Sequence, residues 1–414
     1  MKYAAPRGTK DILPNETPLW QWVEAACREV FELYNYKEIR TPVFEATELF
    51  SRSIGTSTDI VKKEMYTFPD RKGRSLTLRP EETAPVVRAC LENNLISPDN
   101  LVKLYYFGPM FRYERPQAGR QRQFHQAGVE AFGSADPLLD AEVIQMSVKL
   151  FEKLGLKDLE VDINSVGCPK CQPKFREAIK KYFTQNITKM CADCQERLEQ
   201  NPLRILDCKE PVCQKYIEKA PAASDYLDPE CKDNFEQVLK SLESLKVRYR
   251  VNDRLVRGLD YYTMTTFEVV SKQLGAQNAV CGGGRYDDLV AELGGKPTPA
   301  MGFAVGLERV IEIIRQLKIG IELFVATIGE EARKVGFDLI TKARENGISS
   351  DIDYLGKSLK AQMKAADRMN AKYVYIIGED EIVKRSAALK NMKTAEQKEV
   401  GFDGLIAEIR KGVK

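Results

Sequence analysis

Apolar residues near the amino-terminal end of the chain recur with the period of a helix. The positions concerned are Leu19, Trp22, Val23, Ala26, Val30 and Leu33. Thr17 and Pro18 stand where a helix cap and first turn are expected, and an extended segment from Lys37 to Phe44 follows. The pattern predicts a long helix that leads into a strand.

A second pattern is typical of strands. Leu104 to Phe111 is short and aromatic, and Gln123 to Phe132 alternates between polar and apolar residues. Pro116 to Gly119 interrupts these runs, so we expect an antiparallel hairpin with a long loop. Because side chains alternate across a strand, Gln126 and Glu130 should share one face.

The later part of the chain changes from long strands to alternating elements. Leu255 to Val270 predicts two strands bent at Gly258, and Pro299 to Ile314 predicts a strand, a glycine and a helix. From Leu323 to Ile377 strand and helix patterns alternate, which predicts a small α/β domain. A P-loop at 356–358 is excluded because Asp351 stands where its first glycine is required.

Composition describes an ordinary globular chain. With 414 residues, two or three domains are expected, and 43% hydrophobic residues with 30% charged residues fit that class. No apolar run is long enough for a membrane span, and MKYAAPRGTKD contains no signal peptide, so we expect a cytoplasmic protein without membrane contacts. A net charge of +3 means that any RNA-binding surface must be local.

Ten cysteines in a cytoplasmic chain are expected to be thiols or metal ligands. Cys168 and Cys171 form one CxxC pair, and Cys191 and Cys194 form another, with nineteen residues between the two pairs. Four thiolates at this spacing match a structural zinc site, and the alternative is reduced cysteines that only pack. His125, the single histidine, excludes metal sites with several histidines.

The most specific motif is the predicted hairpin. Four arginines lie within eleven residues, namely Arg112, Arg115, Arg120 and Arg122. Charge alone is equally consistent with a solvated basic hairpin. However, the order FRxE, basic loop, QFHQxxxE resembles motif 2 of the class II aminoacyl-tRNA synthetases.

Other motifs follow in the order of that family. The amino-terminal helix and strand resemble motif 1, a dimer interface, and PAMGFAVGLERVIEII at 299–314 resembles motif 3. RGLDYY at 257–262 and GGGRYD at 282–287 are similar to the histidine-binding segments of the histidyl-tRNA synthetase family. LTLRPEETA at 76–84 fits the same family, although Glu81 is also what a capped helix start would contain.

The resemblance implies a role for each matched residue. Catalytic residues would be Arg112 and Arg257. Histidine would be bound by Glu81, Thr83, Gln126, Glu130, Tyr261, Tyr262 and Tyr286. ATP would be bound by Arg112, Glu114 and Arg309, and the tRNA acceptor end by Gln117 and Arg120. Without the other motifs, Arg309 would be taken for a surface residue.

The resemblance also implies an architecture and an activity. We expect an α+β class II core, an antiparallel sheet flanked by helices, at 1–165 and 241–320, with a helical insertion at 166–240 and an α/β anticodon-binding domain at 321–414. A homodimer would use ATP and Mg²⁺ to attach L-histidine to tRNA(His). Zinc in the insertion is expected from the cysteine spacing and is not part of the general family pattern. The alternatives are a non-catalytic regulatory subunit of histidine biosynthesis and a plain RNA-binding module.

Overall fold

The computed structural model describes residues 3–55, 58–97, 100–116, 119–271, 279–314 and 320–411. The chain forms two compact units, residues 1–315 and residues 316–414. Gln117, one of the two residues expected at the tRNA acceptor end, lies outside the described ranges. The sequence predicted four segments, and their division of the first unit into core and insertion remains a prediction.

The amino-terminal unit is built on a large mixed sheet. Its strands, with those of a small second sheet, are β1 (Lys37–Glu38), β2 (Phe44–Ala46), β3 (Tyr66–Pro69), β4 (Ser75–Leu78), β5 (Val102–Phe111), β6 (Gln123–Phe132), β7 (Leu159–Ser165), β8 (Tyr249–Val251), β9 (Thr263–Ser271), β10 (Ala279–Arg285) and β11 (Ala300–Gly306). The large sheet has the order β1-β5-β6-β11-β10-β9-β7-β8, and β2-β4-β3 form the small one. All neighbours in the large sheet are antiparallel except the two outer pairs.

Helices of this unit cover the sheet and fill the insertion. They are α1 (Thr17–Leu33), α2 (Thr47–Ser53), α3 (Thr83–Glu92), α4 (Pro137–Lys153), α5 (Gln172–Thr184), α6 (Ala192–Gln200), α7 (Pro211–Ile217), α8 (Pro229–Ser244), α9 (Leu289–Glu292) and α10 (Leu307–Ile313). A π-helical turn covers Ile60–Glu64, and 3₁₀ turns cover Ile187–Lys189, Pro202–Asp207 and Ala223–Tyr226. The apolar stripes of α1, α4, α8 and α10 pack on the sheet in one core.

The predicted hairpin is confirmed and forms the centre of the sheet. β5 and β6 pair from Val102↔Phe132 to Phe111↔Gln123, and β11 pairs with the other edge of β6. The two-strand prediction for Leu255 to Val270 is wrong in its first half, because only Thr263 onward is a strand. The residues before it turn instead, and Leu255 N donates to Asn252 O at 2.8 Å.

The insertion has a small apolar core of its own. Its members come from α5, α6 and α7 and their connections, with Phe175, Ile179, Phe183, Leu198, Ile205 and Ile217 among those that are buried. α8 does not belong to this core, because Val238 and Leu242 are buried with the residues of the large sheet. The cysteines of the insertion lie at or beside this core.

The carboxy-terminal unit is a separate α/β fold. Its strands are β12 (Leu323–Thr327), β13 (Ser350–Ile352), β14 (Tyr373–Ile377), β15 (Ser386–Asn391) and β16 (Gln397–Gly401), in the order β13-β12-β14-β15-β16. Its helices are α11 (Glu330–Glu345), α12 (Leu359–Arg368), α13 (Glu379–Lys384) and α14 (Leu405–Lys411), and a 3₁₀ turn covers Phe402–Gly404. The first three strands are parallel and the last two antiparallel, so the predicted α/β domain is confirmed with an added hairpin. Across the described ranges of both units, no helix combines the length and apolarity that crossing a membrane requires.

Candidate active site

The site is organised around Glu130, a carboxyl group that is fully buried on β6. Thr83, the first residue of α3, donates its hydroxyl to Glu130 Oε1 at 2.7 Å, and the Tyr286 hydroxyl donates to Glu130 Oε2. Three segments that are far apart in the sequence therefore meet at one carboxylate. All three residues were expected at the histidine pocket.

Burial controls the protonation of the two acidic residues at this point. Burial raises the pKa of Glu130 to about 8, and the charges of Glu81 and Glu82 add to this effect against the hydrogen bonds from Tyr286 and Thr83. Burial also raises the pKa of Glu81, while backbone hydrogen bonds from Ala84 and Thr83 oppose it. A cationic group placed between the two carboxyl groups would favour the ionised form of both.

Three tyrosine rings and one amide line the same region. The Tyr261 ring lies 4.8 Å from the Tyr262 ring and 5.6 Å from the Tyr286 ring, measured between centroids. Gln126 lies four residues before Glu130 on the same face of β6. Its buried Oε1 has no hydrogen-bond partner in the described part of the chain. A buried acceptor without a partner is costly, so a ligand that donates to it would be favoured.

Two arginines that were expected to be catalytic are anchored near these groups. Arg112 Nε donates to Pro80 O at 2.8 Å, and its guanidinium lies 5.2 Å from the centroid of the Phe124 ring. Arg257 forms an ion pair with Glu268, and its Nε has no partner among the described residues. Burial alone would lower the pKa of Arg257, but the charge of Glu268 raises it, so the side chain stays cationic.

Glu114 and Arg309, which were expected to bind ATP, lie at the loop end of the hairpin with Arg120, which was expected at the tRNA acceptor end. Arg120 lies 3.4 Å from Glu114, and Arg309 donates to Ala279 O at 2.9 Å. Burial and the charge of Arg120 both lower the pKa of Arg309, which means that the two cations lie near each other. Two adjacent cations are suited to a polyanion such as a triphosphate.

Glu81 satisfies both interpretations that the sequence left open. Its two carboxylate oxygens accept from Thr83 N at 2.7 Å and Ala84 N at 3.0 Å, as expected at the start of a helix. It is also buried beside the tyrosines. The next residue, Glu82, forms a buried ion pair with Arg79 at 2.8 Å, which fixes the turn that carries Glu81.

The sequence analysis identified the glycines of GGGRYD but missed Gly302, which also makes room for the site. A Cβ atom on Gly302, which is opposite Glu130 on β11, would lie 2.0 Å from Glu130 Oε2. A Cβ atom on Gly282 would lie 2.4 Å from Arg257 Cζ. Arg285, in the GGGRYD motif, points away from the site and forms a buried ion pair with Asp140 at 2.6 Å.

His125 lies outside the pocket, as its position in the strand pattern indicates. Its Nδ1 atom lies 3.0 Å from Glu308 Oε1, and its ring packs edge-on against Trp20 at 5.0 Å. The backbone N of His125 also donates to Glu308. This histidine therefore connects β6 to α10.

The prediction of one zinc site made by Cys168, Cys171, Cys191 and Cys194 is wrong in its pairing. Among the described residues, Cys168 and Cys171 lie with Asp228 and Cys231, whereas Cys191 and Cys194 lie with Cys208 and Cys213. One CxxC pair precedes α5 in the chain and the other follows it, and the partners of each pair lie further along the chain. The spacing identified both pairs but not their partners.

Comparisons with known proteins find relatives that match both units. The family model described as histidyl-tRNA synthetase matches residues 8–310, and the anticodon binding domain model matches residues 322–412. A histidine–tRNA ligase of Halothermothrix orenii is 52% identical over 99% of this chain and 100% of that protein. The crystal structure of apo S. aureus histidyl-tRNA synthetase has a TM-score of 0.80 and 39% identity, covering 98% of this chain and 99% of that one.

A third match concerns the fold alone. A crystal structure from Bacillus halodurans C, described as an ATP phosphoribosyltransferase regulatory subunit/histidyl-tRNA synthetase, has a TM-score of 0.66 at 23% identity. It covers 91% of this chain and 99% of that chain. Given the full-length relative at 52% identity and the family model that spans most of the large unit, the chain belongs to the histidyl-tRNA synthetase family.

Proposed function

We propose that this protein attaches L-histidine to tRNA(His) in two steps, through a histidyl adenylate. The observation that carries the proposal is the buried group formed by Glu130, Thr83 and Tyr286 beside the unsatisfied Gln126 Oε1. This group offers acceptors and hydroxyls in a closed space. Histidine presents an ammonium group and an imidazole ring, which require such partners.

Recognition of histidine is assigned to both sides of this group. Glu81, Thr83 and Gln126 are assigned to the amino group, because a carboxylate and an amide oxygen suit a cation. Glu130, Tyr262 and Tyr286 are assigned to the imidazole, whose two nitrogens need one donor and one acceptor. The rings of Tyr261 and Tyr262 exclude water, which strengthens each of these polar contacts.

Formation of the adenylate needs positive charge rather than a general base. The α-carboxylate of histidine is ionised at neutral pH and attacks the α-phosphorus of ATP directly, and pyrophosphate leaves. Arg112 and Arg257 are assigned to the charge that develops on the α-phosphate, and Arg309 and Glu114 to the rest of the nucleotide. The 3′ hydroxyl of the tRNA then displaces AMP from the adenylate.

A divalent cation that accompanies ATP has a suitable set of donors. Tyr113 N donates to Glu64 O at 2.7 Å, so Glu64 lies beside the segment that carries Glu114. Burial and the charge of Glu114 both raise the pKa of Glu64. Paired carboxylates beside phosphate oxygens suit Mg²⁺, which supplies charge neutralisation when bound. Glu64 and Glu114 would hold it.

The remaining parts of the proposal concern assembly and location. The carboxy-terminal unit is assigned to the anticodon, and Arg120, with Gln117, to the acceptor end of the tRNA. We also propose a homodimer formed through α1 and β1, and a cytoplasmic location. The domain limits are proposed at 165, 240 and 320, and the insertion is proposed to hold zinc. The regulatory-subunit alternative is less supported. The chain includes a match to an anticodon-binding domain, and it aligns over nearly its full length with a protein named histidine–tRNA ligase.

Histidine-dependent exchange of pyrophosphate into ATP tests this function directly. We expect exchange with histidine and not with other amino acids. Arg257→Ala should reduce the rate by about 10²–10³-fold, as loss of a single donor to a developing charge does. The matched control is Arg250→Ala, which removes an exposed arginine of the edge strand β8 that pairs with Asp162 of β7. This variant should leave exchange unchanged.

Near-normal exchange in Arg257→Ala would remove the catalytic role of that residue. Binding of tRNA without any histidine-dependent exchange would favour an RNA-binding module. Neither exchange nor tRNA binding in a folded protein would favour the regulatory subunit.

A further inference from the structure

Seven of the ten cysteines lie in two clusters among the described residues. The first cluster contains Cys168, Cys171, Cys231 and the carboxylate of Asp228, and the second contains Cys191, Cys194, Cys208 and Cys213. In each cluster all four ligand atoms lie within 4.8 Å of one another. A sphere of that size is the shell around one ion, because two Zn–S bonds end to end span about 4.6 Å.

The individual separations match a tetrahedral ion. Zn–S bonds of about 2.3 Å at the tetrahedral angle put two sulfurs about 3.8 Å apart. Cys168 and Cys171, and Cys171 and Cys231, are 3.7 Å apart at their sulfurs, and Cys191 and Cys208 are 3.8 Å apart. None of these pairs is a disulfide, which requires about 2.05 Å.

The carboxylate in the first cluster fits the same geometry. A Zn–O bond of about 2.0 Å beside a Zn–S bond places oxygen and sulfur about 3.5 Å apart. Asp228 Oδ2 lies 3.5 Å from Cys168 Sγ. Its other oxygen accepts from Cys231 N at 2.8 Å, which turns Oδ2 toward the sulfurs as outer hydrogen bonds orient a ligand.

Backbone amides also point at the sulfurs. Asp228 N donates to Cys171 Sγ at 3.2 Å, and Cys191 N donates to Cys213 Sγ at 3.3 Å. Amide donors to sulfur are suited to thiolates rather than to neutral thiols, because they offset negative charge. Packing alone would not require donors directed at these atoms.

We propose that the insertion holds two separate structural zinc ions, one bound by Cys191, Cys194, Cys208 and Cys213 and the other by Cys168, Cys171, Cys231 and Asp228, and that the second ion positions Tyr262. The first site joins the short helices of the insertion, whose apolar core is small. The second joins the start of the insertion to the start of α8.

The second site lies directly behind the RGLDYY segment. Gln172, the residue after Cys171, donates its amide to Tyr262 O at 3.1 Å. Met264 exchanges backbone hydrogen bonds with Val166 and Gly167, at 2.8 and 2.9 Å, and its sulfur lies 3.4 Å from Cys231 Sγ. An ion at this site therefore fixes both chain segments that hold the backbone of Tyr262.

Metal analysis of the full-length protein tests the sites without reference to activity. We expect about two zinc ions per chain, and about one after either Cys213→Ala or Cys231→Ala. Cys27→Ala removes a buried thiol of α1 outside both clusters and should retain both ions. Wild-type protein that contains no zinc and takes up none from zinc sulfate under reducing conditions would overturn the proposal.

Cobalt titration of the wild-type chain keeps the sites testable if a variant does not fold. After zinc is removed with a chelator, Co²⁺ should bind in about two equivalents with the visible absorption of tetrahedral thiolate coordination. The Asp228→Asn variant should alter the absorption of one equivalent only. Saturation at one equivalent would contradict two separate sites.

The positioning role is tested by a comparison of substrates and rests on the proposed function. Cys231→Ala should raise the KM for histidine roughly 10-fold or more while the KM for ATP stays within about twofold, because Tyr262 is assigned to imidazole alone. Cys213→Ala should change neither KM. Equal changes in both KM values would overturn the positioning role, whereas failure of the metal analysis would leave the proposed function untouched.

Discussion

At the scale of single residues, Glu130 is the group whose charge matters most. It is buried, and without a ligand its pKa is raised to about 8, chiefly by burial. The folded chain then holds a proton that the unfolded chain releases near pH 4.5. Stability therefore contains a contribution from Glu130 that is complete below pH 4.5 and is lost as the pH rises through about 8.

This linkage gives a prediction for the ligand-free protein. Its melting temperature should fall between about pH 6 and about pH 8, because unfolding then releases the proton that the buried carboxyl group retains, and each rise in pH favours that release. Each pH unit costs up to about 1.4 kcal/mol in that window. Glu130→Gln cannot ionise and should show a flatter profile, and thermal melts of both proteins across this range measure the difference.

Histidine should reverse the direction of that effect. An imidazole N–H that donates to Glu130 favours the ionised carboxylate, so binding should release protons and the KM for histidine should fall as the pH rises toward 8. Calorimetric titration with histidine in buffers of different ionisation enthalpy measures the released protons. Equal proton release by wild type and Glu130→Gln would mean that another group titrates.

At the scale of elements, the pocket depends on how closely β11 approaches β6. Gly302 and Gly306 lie on the same strand, but a Cβ atom on Gly302 would meet Glu130 Oε2 and Val129 O, whereas one on Gly306 would meet nothing within 4 Å. Gly302→Ala should therefore displace the carboxyl group and raise the KM for histidine roughly 10-fold or more. Overpacking should also cost about 1–3 kcal/mol of stability.

Gly306→Ala is the matched control and should behave as wild type in exchange kinetics and in chemical denaturation. The two variants differ only in what the added methyl group meets. If both raised the KM for histidine equally, strand flexibility rather than the space beside Glu130 would explain the effect. If neither did, Glu130 would not be part of the histidine pocket.

The elements also show what a sequence can predict. The strand β6 was predicted with its observed ends because alternation and turn residues are local signals. The hydrogen bonds of Glu130 to Thr83 and Tyr286 join residues 47 and 156 positions apart, so only the family resemblance pointed to them. Cys208, Cys213, Cys231 and Asp228 were not predicted as ligands, because spacing within a pair says nothing about which distant residue completes the shell.

At the scale of the whole molecule, the described residues of each unit form apolar clusters of their own. The clusters around β12 and β14 contain only residues beyond 320, and the others only residues before 315. Both units should therefore fold separately. The division of labour proposed above follows from this separation: histidine and ATP need only the first unit, while tRNA needs both.

Truncation after residue 315 tests that division. The shortened protein should melt cooperatively and keep histidine-dependent exchange within a few-fold of the full chain, because each residue assigned to histidine and ATP lies in the first unit. Charging of tRNA should fall by roughly 10²-fold or more in kcat/KM, since two linked binding units gain about that much from acting together.

Adding the second unit, residues 320–414, as a separate chain should restore little of this loss, because the gain depends on the covalent link. A shortened protein that is folded but inactive in exchange would mean that the second unit also supports the histidine pocket, and undiminished tRNA charging would mean that the second unit contributes little to tRNA binding.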